Sequence, residues 1–262
     1  MSAAHFLPTG TVYGTLLNFC AEVEALAPQM TEPPYKAPPK APVLYVKTAN
    51  TWSPHGSAIA VPSSIPEVEI GASIGMVIGA EGDVEGFVLM NDLSIPHASF
   101  FRPPVKFKCV DGFLGIGPVL RDAQEVADPA SFRVEVRING ALKQAIDFSQ
   151  LVRPAQQLLA DVGDFMTLAH GDVLMLGCDA GRPLARAGDR IDISATGFET
   201  LTNTLVQETV RAFTTGWYRE VLTELPEIRD GFIYPMTGPG LGTKLQPERL
   251  NAADCERRVT KA

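Results

Sequence analysis

The run "FRVEVRINGALKQAIDF", from Phe132 to Phe148, limits the fold more than any other stretch. Val134, Val136 and Ile138 alternate with charged residues before Asn139-Gly140 interrupts the pattern. Period-two alternation marks a strand with one buried face, and Asn-Gly tolerates the positive φ angles of a two-residue turn. The stretch predicts an antiparallel hairpin. Further short apolar runs, "GTVYGTLLNF" (Gly10 to Phe19), "VLYVK" (Val43 to Lys47), "SIGMVIG" (Ser73 to Gly79) and "EGFVLMNDLS" (Glu85 to Ser94), read as strands. "GDVLMLG" (Gly171 to Gly177) and the run from Gly188 to Val206 each open on a Gly-Asp turn and continue as strand.

One helix stands out against this β-dominated background. "RPAQQLLADVGDFMTL" puts Pro154 near a helix start and Ala155, Leu158, Leu159, Val162, Phe165 and Met166 on one face, with Gly171 just past the end. By contrast, "APQMTEPPYKAPPKAP" (Ala27 to Pro42) is too rich in proline for helix or central strand, which predicts an exposed loop. From about Gln207 the character changes to helix, an aromatic stretch and a Gly/Pro-rich loop. The expected organisation is a main domain over 1–207 and an appendage over 208–262. The appendage is too small for a strong core of its own and is expected to dock on the main domain or a neighbouring subunit.

Composition narrows the function. The chain has 262 residues, 45% apolar and 20% charged, with a net charge of −8 and no run of Lys and Arg, so nucleic acid is not an expected partner. No stretch of eighteen apolar residues exists and the N-terminus lacks the basic start of a signal peptide, so the expectation is no membrane and a cytoplasmic location. Cys20, Cys109, Cys178 and Cys255 show no C-x-x-C spacing and read as isolated thiols.

Several residues are candidates for chemistry, each with a plainer alternative. Asp92 follows an apolar run in "NDLS" and reads either as a functional acid or as a turn cap. Lys108 is either an anion anchor or a solvated lysine beside Lys106, and His55 and His97 are either acid/base groups or loop residues. Gly112, Gly115 and Gly117 in "GFLGIGP" lack a following Lys-Ser/Thr pair and read as turn glycines.

The succession "YVK", "VIG", "NDLS", "KCVDGFLGIGP", "INGALKQ", a single helix, "GDVLMLGCDAG" and "GDRIDISATGFETLTNTL" resembles the fumarylacetoacetate hydrolase superfamily from Gly10 to Val206. "YKAPPKAPVLYVKTANT" and "NDLSIPHASFFRPPVKFKCVDGF" are most similar to the amino-terminal half of the bifunctional isomerase/decarboxylases of 4-hydroxyphenylacetate (homoprotocatechuate) degradation. The resemblance implies a mixed, β-dominated fold of the C-terminal-domain type of that superfamily, with one main helix and here a C-terminal appendage. It also implies dimerisation, a divalent metal (Mg2+ or Mn2+) held by Glu-x-Glu and an Asp, and a small 2-oxo acid or dicarboxylate as substrate. Residue by residue, it assigns Asp92 to the metal, Lys108 to the active site, and Lys47 and Gln144 to substrate. The tail "WYREVLTELPEIRDGFIYPMTGPGLGTKLQPE" resembles the closing segment of mandelate racemase/enolase-superfamily dehydratases, whose catalytic groups lie in a barrel absent from this sequence.

The departures weigh as much as the matches. Counting back from "VIG", the two metal glutamates fall at Gly71 and Ser73, on either side of Ala72, and the family's substrate loop reads Leu176-Gly177-Cys178-Asp179-Ala180-Gly181, which leaves Cys178 and Asp179 as candidate substrate contacts. Glu67 and Glu69, in an expected approach loop, stand four residues upstream of those positions, roughly 13 Å along an extended chain at about 3.3 Å per residue. The expectation is a metal bound weakly or not at all. The readings that follow are an isomerase/decarboxylase subunit or paralogue with a degenerate metal site, or a silent partner in a homodimer or hetero-oligomer with a metal-bearing homologue. A hydrolase of fumarylacetoacetate-like diketo acids is a further alternative.

Overall fold

The computed structural model describes residues 5–97 and 104–207 and, in the tail, 222–225, 227–229, 232–234 and 243–250. The chain divides into two compact units, 1–61 with 65–206, and 62–64 with 207–262. In the first unit the larger sheet has nine strands. Its spatial order is β2 (Val43–Lys47), β1 (Val12–Leu16), β11 (Val173–Met175), β5 (Val68–Ile78), β6 (Val84–Ser94), β7 (Leu114–Ile116) and β3 (Trp52–Pro54). β12 (Leu184–Ala185) pairs with β5, and β8 (Arg121–Asp122) with β6. The second sheet runs β10 (Ala141–Asp147), β9 (Arg133–Ile138), β13 (Arg190–Ala195), β14 (Leu201–Gln207) and β4 (Ala58–Val61).

The two faces of the larger sheet bury different cores. On one face Ile70, Ile74 and Met76 of β5 meet Val134 and Val136 of β9, Ile191 and Ile193 of β13, and Leu158 and Val162 of the helix Ala155–Gly163. On the other, Val12, Leu16, Tyr45, Val77, Val88, Met90, Leu114, Ile116, Val173 and Met175 pack together. Every one of these belongs to a strand of that same sheet, so the sheet curls around them. β5 and β6 form the long antiparallel pair at its centre, with Gly71 opposite Asp92 and Ser73 opposite Met90.

The hairpin forms as the alternation requires: Ile138 pairs with Ala141 across Asn139 (φ 51°) and Gly140 (φ 80°). Other expectations are corrected. A helix, α1 (Cys20–Met30), precedes the proline-rich loop and runs through Pro28, which stands in its last turns, where the lost N–H costs one hydrogen bond. A four-residue helix, α2 (Val105–Lys108), follows β6, so the chain has more than one helix. The expected helix, α3 (Ala155–Gly163), stops short of Phe165, which is 57% exposed rather than on the buried face. Gly171 (φ 82°) therefore does not directly follow the helix, but it does lie in the Gly-Asp turn that opens into β11, as its second expected role required.

The run from Gly188 to Val206 is two strands, β13 and β14, broken at the turn of Gly197 (φ 82°). Glu69 lies within β5, not in an approach loop, and pairs with Leu184 and Ser94. Gly115 lies within β7, where an added Cβ would come 2.2 Å from Asn203 Oδ1, so its small size serves packing rather than a turn.

The described part of the second unit contains the pair β15 (Glu227–Arg229) and β16 (Phe232–Tyr234), and a helix α4 (Pro247–Leu250). Most of the tail segment that begins at Trp217 and the expected helix after Gln207 lie outside the described residues, as does Cys255.

The two sides of α3 give the first test. Leu158 is fully buried, so Leu158→Ala is expected to lose about 2–5 kcal/mol of unfolding free energy, whereas Phe165→Ala is expected to stay within about 0.5 kcal/mol, both read by urea denaturation.

Candidate functional site

The curled face of the larger sheet carries a buried charge cluster centred on Asp92. Asp92 sits inside β6, fully buried, rather than at a strand-to-loop turn. Period-two geometry points Val88, Met90 and Asp92 the same way, into the interior that also holds Tyr45. Lys47, at the end of β2, approaches Asp92 Oδ1 to 2.8 Å, and Lys108, the last residue of α2, approaches Oδ2 to 2.6 Å. The Tyr45 hydroxyl donates to the same Oδ2. Lys108 Nζ also lies 4.7 Å from the centre of the Tyr45 ring, a cation–π contact.

An ammonium has three hydrogens, and Lys47 directs them to the carbonyls of Lys108 (2.5 Å), Phe113 (2.6 Å) and Leu93 (3.3 Å). Its contact with Asp92 Oδ1 is therefore mainly one of charge. Glycines make the space: a Cβ on Gly14 would fall 2.0 Å from Tyr45 Cζ, so only glycine lets that ring lie over β1.

The ionisation states follow from this packing. Burial works to raise the Asp92 carboxyl, but the charges of Lys108 and Lys47 outweigh it and hold Asp92 well below the ordinary carboxylate range. Burial and the Asp92 charge push the Tyr45 hydroxyl well above its usual value, and the same causes push the Cys178 thiol up to about 12. Burial pulls the Lys47 ammonium down while Asp92 supports it. Asp92 is thus too weak a base to take a carbon-bound proton, and Tyr45 and Cys178 hold theirs at neutral pH.

The remaining candidates are distributed around this cluster. Cys178 is buried with Sγ 4.0 Å from Asp92 Oδ2. Asp179 accepts from the backbone N–H of Ala180 and shapes its own loop. Gln144 Nε2 donates to the Ala180 carbonyl at 2.8 Å, so it braces the loop over residues 176–182. The imidazole of His97 stacks on Phe107 at 4.6 Å and its Nδ1 lies 2.9 Å from the Ile95 carbonyl. His55 accepts from the Thr202 N–H at 3.1 Å, a structural role.

Sequence reasoning missed three members. Tyr45 stands two residues before Lys47 on one strand and so shares its face, a signal available from period-two counting. Glu22 and Arg182, which form a buried ion pair at 2.5 Å, carried no local signal. Burial raises the Glu22 carboxyl, and Arg182 opposes the shift.

The donor set at Asp92 does not fit a divalent metal. A hard cation needs several oxygen ligands, yet both Asp92 oxygens already face ammonium groups. Gly71 offers no ligand, and a Cβ there would lie 2.5 Å from the Asp92 carbonyl oxygen and 3.0 Å from Cys178 Sγ. Ser73 spends its hydroxyl on the Gly177 carbonyl at 2.7 Å. Glu69 and Glu67 turn to Arg182 (3.6 Å) and Arg186 (3.8 Å). Among the described residues no group of three or more His, Cys, Asp or Glu side chains is placed to hold a metal.

The buried pair makes stability depend on Asp92. Asp92→Asn leaves two ammonium groups without their counter-charge and is expected to cost about 3–5 kcal/mol at pH 7 by urea denaturation. Because the folded carboxyl lies below its unfolded value, its contribution is complete above about pH 4 and drains away as pH falls further. The wild-type denaturation midpoint is expected to fall more steeply than that of the Asn variant below about pH 4; parallel profiles would contradict the pairing.

Comparison with known proteins places this architecture. The model of the fumarylacetoacetate hydrolase C-terminal family matches residues 11–206. The 4-hydroxyphenylacetate degradation bifunctional isomerase/decarboxylase of Salmonella dublin is 34% identical over 209 residues, which is 76% of this chain and 48% of that protein. The chain thus spans about half the length of the curated relatives of this kind that it matches. Two solved structures share the fold at 22% identity and a TM-score of 0.64. One is 5-carboxymethyl-2-hydroxymuconate delta-isomerase from Mycobacterium smegmatis, covering 79% of this chain and 82% of that one. The other is fumarylpyruvate hydrolase from Pseudomonas aeruginosa in complex with Mn2+ and pyruvate, covering 77% and 91%. With a curled nine-strand sheet and a family match over residues 11–206, this chain belongs to the fumarylacetoacetate hydrolase C-terminal family.

Proposed function

We propose that this chain is a subunit or paralogue of a 2-oxo-dicarboxylate isomerase/decarboxylase of homoprotocatechuate meta-cleavage degradation, with its metal position converted into a buried ion pair. It serves as a partner that completes an assembly with a metal-bearing homologue. One observation carries the reading: Lys47 and Lys108 hold Asp92 while the positions opposite and beside it, Gly71 and Ser73, supply no carboxylate. The likeness to the isomerase/decarboxylases supports the reaction class of the assembly.

In metal-dependent members of such a family, a divalent cation polarises a 2-oxo acid and stabilises the enolate that forms. Here the charge at the equivalent place is a fixed pair of ammonium groups already bonded to protein oxygens. Catalysis in this reading belongs to the partner, and this chain contributes surface. The homologue can be a separate chain or a further domain.

Elemental analysis and calorimetric titration with Mn2+ and Mg2+, with and without oxalate as an enolate mimic, test the reading. The expected outcome is no stoichiometric metal under either condition. Metal bound with oxalate at a ratio near one would overturn the reading. Gly71→Glu/Ser73→Glu is expected not to restore metal binding, because the side chain at position 71 meets the Asp92 backbone. In co-purification with a homologue that carries Glu-x-Glu, isomerase turnover is expected to rise when this chain is added; unchanged turnover and no complex would remove the partner role.

A further inference from the structure

Beside the Asp92 cluster, Arg182 faces a cavity of about 180 Å³ whose wall includes Glu22, Leu26, Glu69, His97 and Gly181. The Arg182 side chain is only 11% exposed and that of Glu22 only 6%. A guanidinium offers five N–H donors in a planar fork that fits a carboxylate through two parallel bonds. Arg182 uses little of this: Nη2 reaches Glu22 Oε1 at 2.5 Å and the Cys178 carbonyl at 3.5 Å. Its Nε is buried with no hydrogen-bond partner among the described residues. Glu69 lies 3.6 Å from Nη1 and is 24% exposed, so water screens that contact.

Glu22 is itself a tethered carboxylate. It sits in the first turn of α1, and its other oxygen accepts from the N–H of Leu17 at 2.6 Å, where the backbone takes a positive φ of 58°. A non-glycine residue in that region is strained, and the Glu22 bond helps hold it there. The carboxylate therefore approaches Arg182 end-on, through one oxygen, with the second oxygen committed elsewhere.

We propose that Arg182 is a carboxylate-recognition residue of this cavity, suited to a small organic carboxylate, and that Glu22 holds its guanidinium as an intramolecular carboxylate that the ligand displaces. The geometry that supports this is the half-used fork, the adjoining cavity and the single-oxygen contact. This recognition involves Arg182 and Glu22 alone and does not depend on metal binding at Asp92 or on a partner chain.

Calorimetry with oxalate and with pyruvate, in buffer containing a chelator, provides the test. Glu22→Gln keeps an oxygen for the Leu17 N–H while removing the charge, and is expected to bind either acid at least tenfold more tightly than wild type. Adding Arg182→Gln to that variant is expected to abolish the gain, and Arg182→Lys to recover only part of it. Equal affinity in wild type and Glu22→Gln, or binding retained in the double variant, would overturn the proposal.

Circular dichroism establishes that each variant is folded. Should Glu22→Gln not fold, the wild-type Arg182 Nε–H resonance, assigned by its loss in Arg182→Lys, gives the second readout. It is expected to shift on saturating titration with oxalate, and an unmoved signal would overturn the proposal. Because chelator is present throughout, failure here leaves the metal-titration result standing, and metal uptake there leaves this one standing.

Discussion

A single carboxylate buried in the middle of a strand governs the interior of this fold. Asp92 could not remain charged in the curled sheet without counter-charge, since removing an ion from water costs several kcal/mol even after the surroundings relax. Lys47 and Lys108 provide that charge from elements distant in sequence, and so tie together β2, β6, α2 and the segment ending at Phe113. The glycines at 14 and 71 are consequences of the same requirement, because they vacate the volume that Tyr45 and the Asp92 backbone occupy. Replacing this arrangement with apolar residues would require several coordinated changes, whereas removing one member strands the others.

The loop that covers the cluster is held in an equally specific way. The carbonyl of Leu176 accepts from Asn18, that of Gly177 from Ser73, that of Cys178 from Arg182 and that of Ala180 from Gln144. Three of these carbonyls are thus held by side chains from three distant parts of the chain, and the fourth is approached by Arg182 of the loop itself. A loop bound in this way presents little free polar capacity toward the Asp92 cluster. It is a packed wall there, and Arg182, whose Nε has no hydrogen-bond partner among the described residues, also lines the neighbouring cavity.

How much of this was legible in the sequence depended on the range of the interaction. The hairpin at Asn139-Gly140 was readable because alternation and a turn dipeptide are local, and β5 and β6 were readable because their apolar runs are long. α1 was not, since Glu22 inside and Pro28 near the end disguise its periodicity, and the reason Glu22 is tolerated, Arg182, stands 160 positions away. Phe165 was misplaced because helical spacing continues in the sequence after the backbone has left the helix. At the site, the absence of carboxylates at 71 and 73 was plain from the residues. Their replacement by a closed network of Lys47, Lys108, Tyr45 and Ser73 was not, because it depends on which side chains the curled sheet brings face to face.

Charge and packing act differently on the positions beside Asp92. In a site of the kind the family resemblance implies, a dication and two glutamates carry equal and opposite charge. In this chain the cluster holds Asp92 against two ammonium groups, Tyr45 and Cys178 held protonated, and Glu22 against Arg182, so its side chains carry one net positive charge. Positions 71 and 73 carry no acidic side chain and are closed by packing, Gly71 against the Asp92 backbone and Ser73 onto Gly177. A carboxylate introduced into that closed packing would find surplus positive charge nearby, but at position 71 its Cβ would already meet the Asp92 carbonyl oxygen at 2.5 Å, so packing rather than charge is what keeps it out.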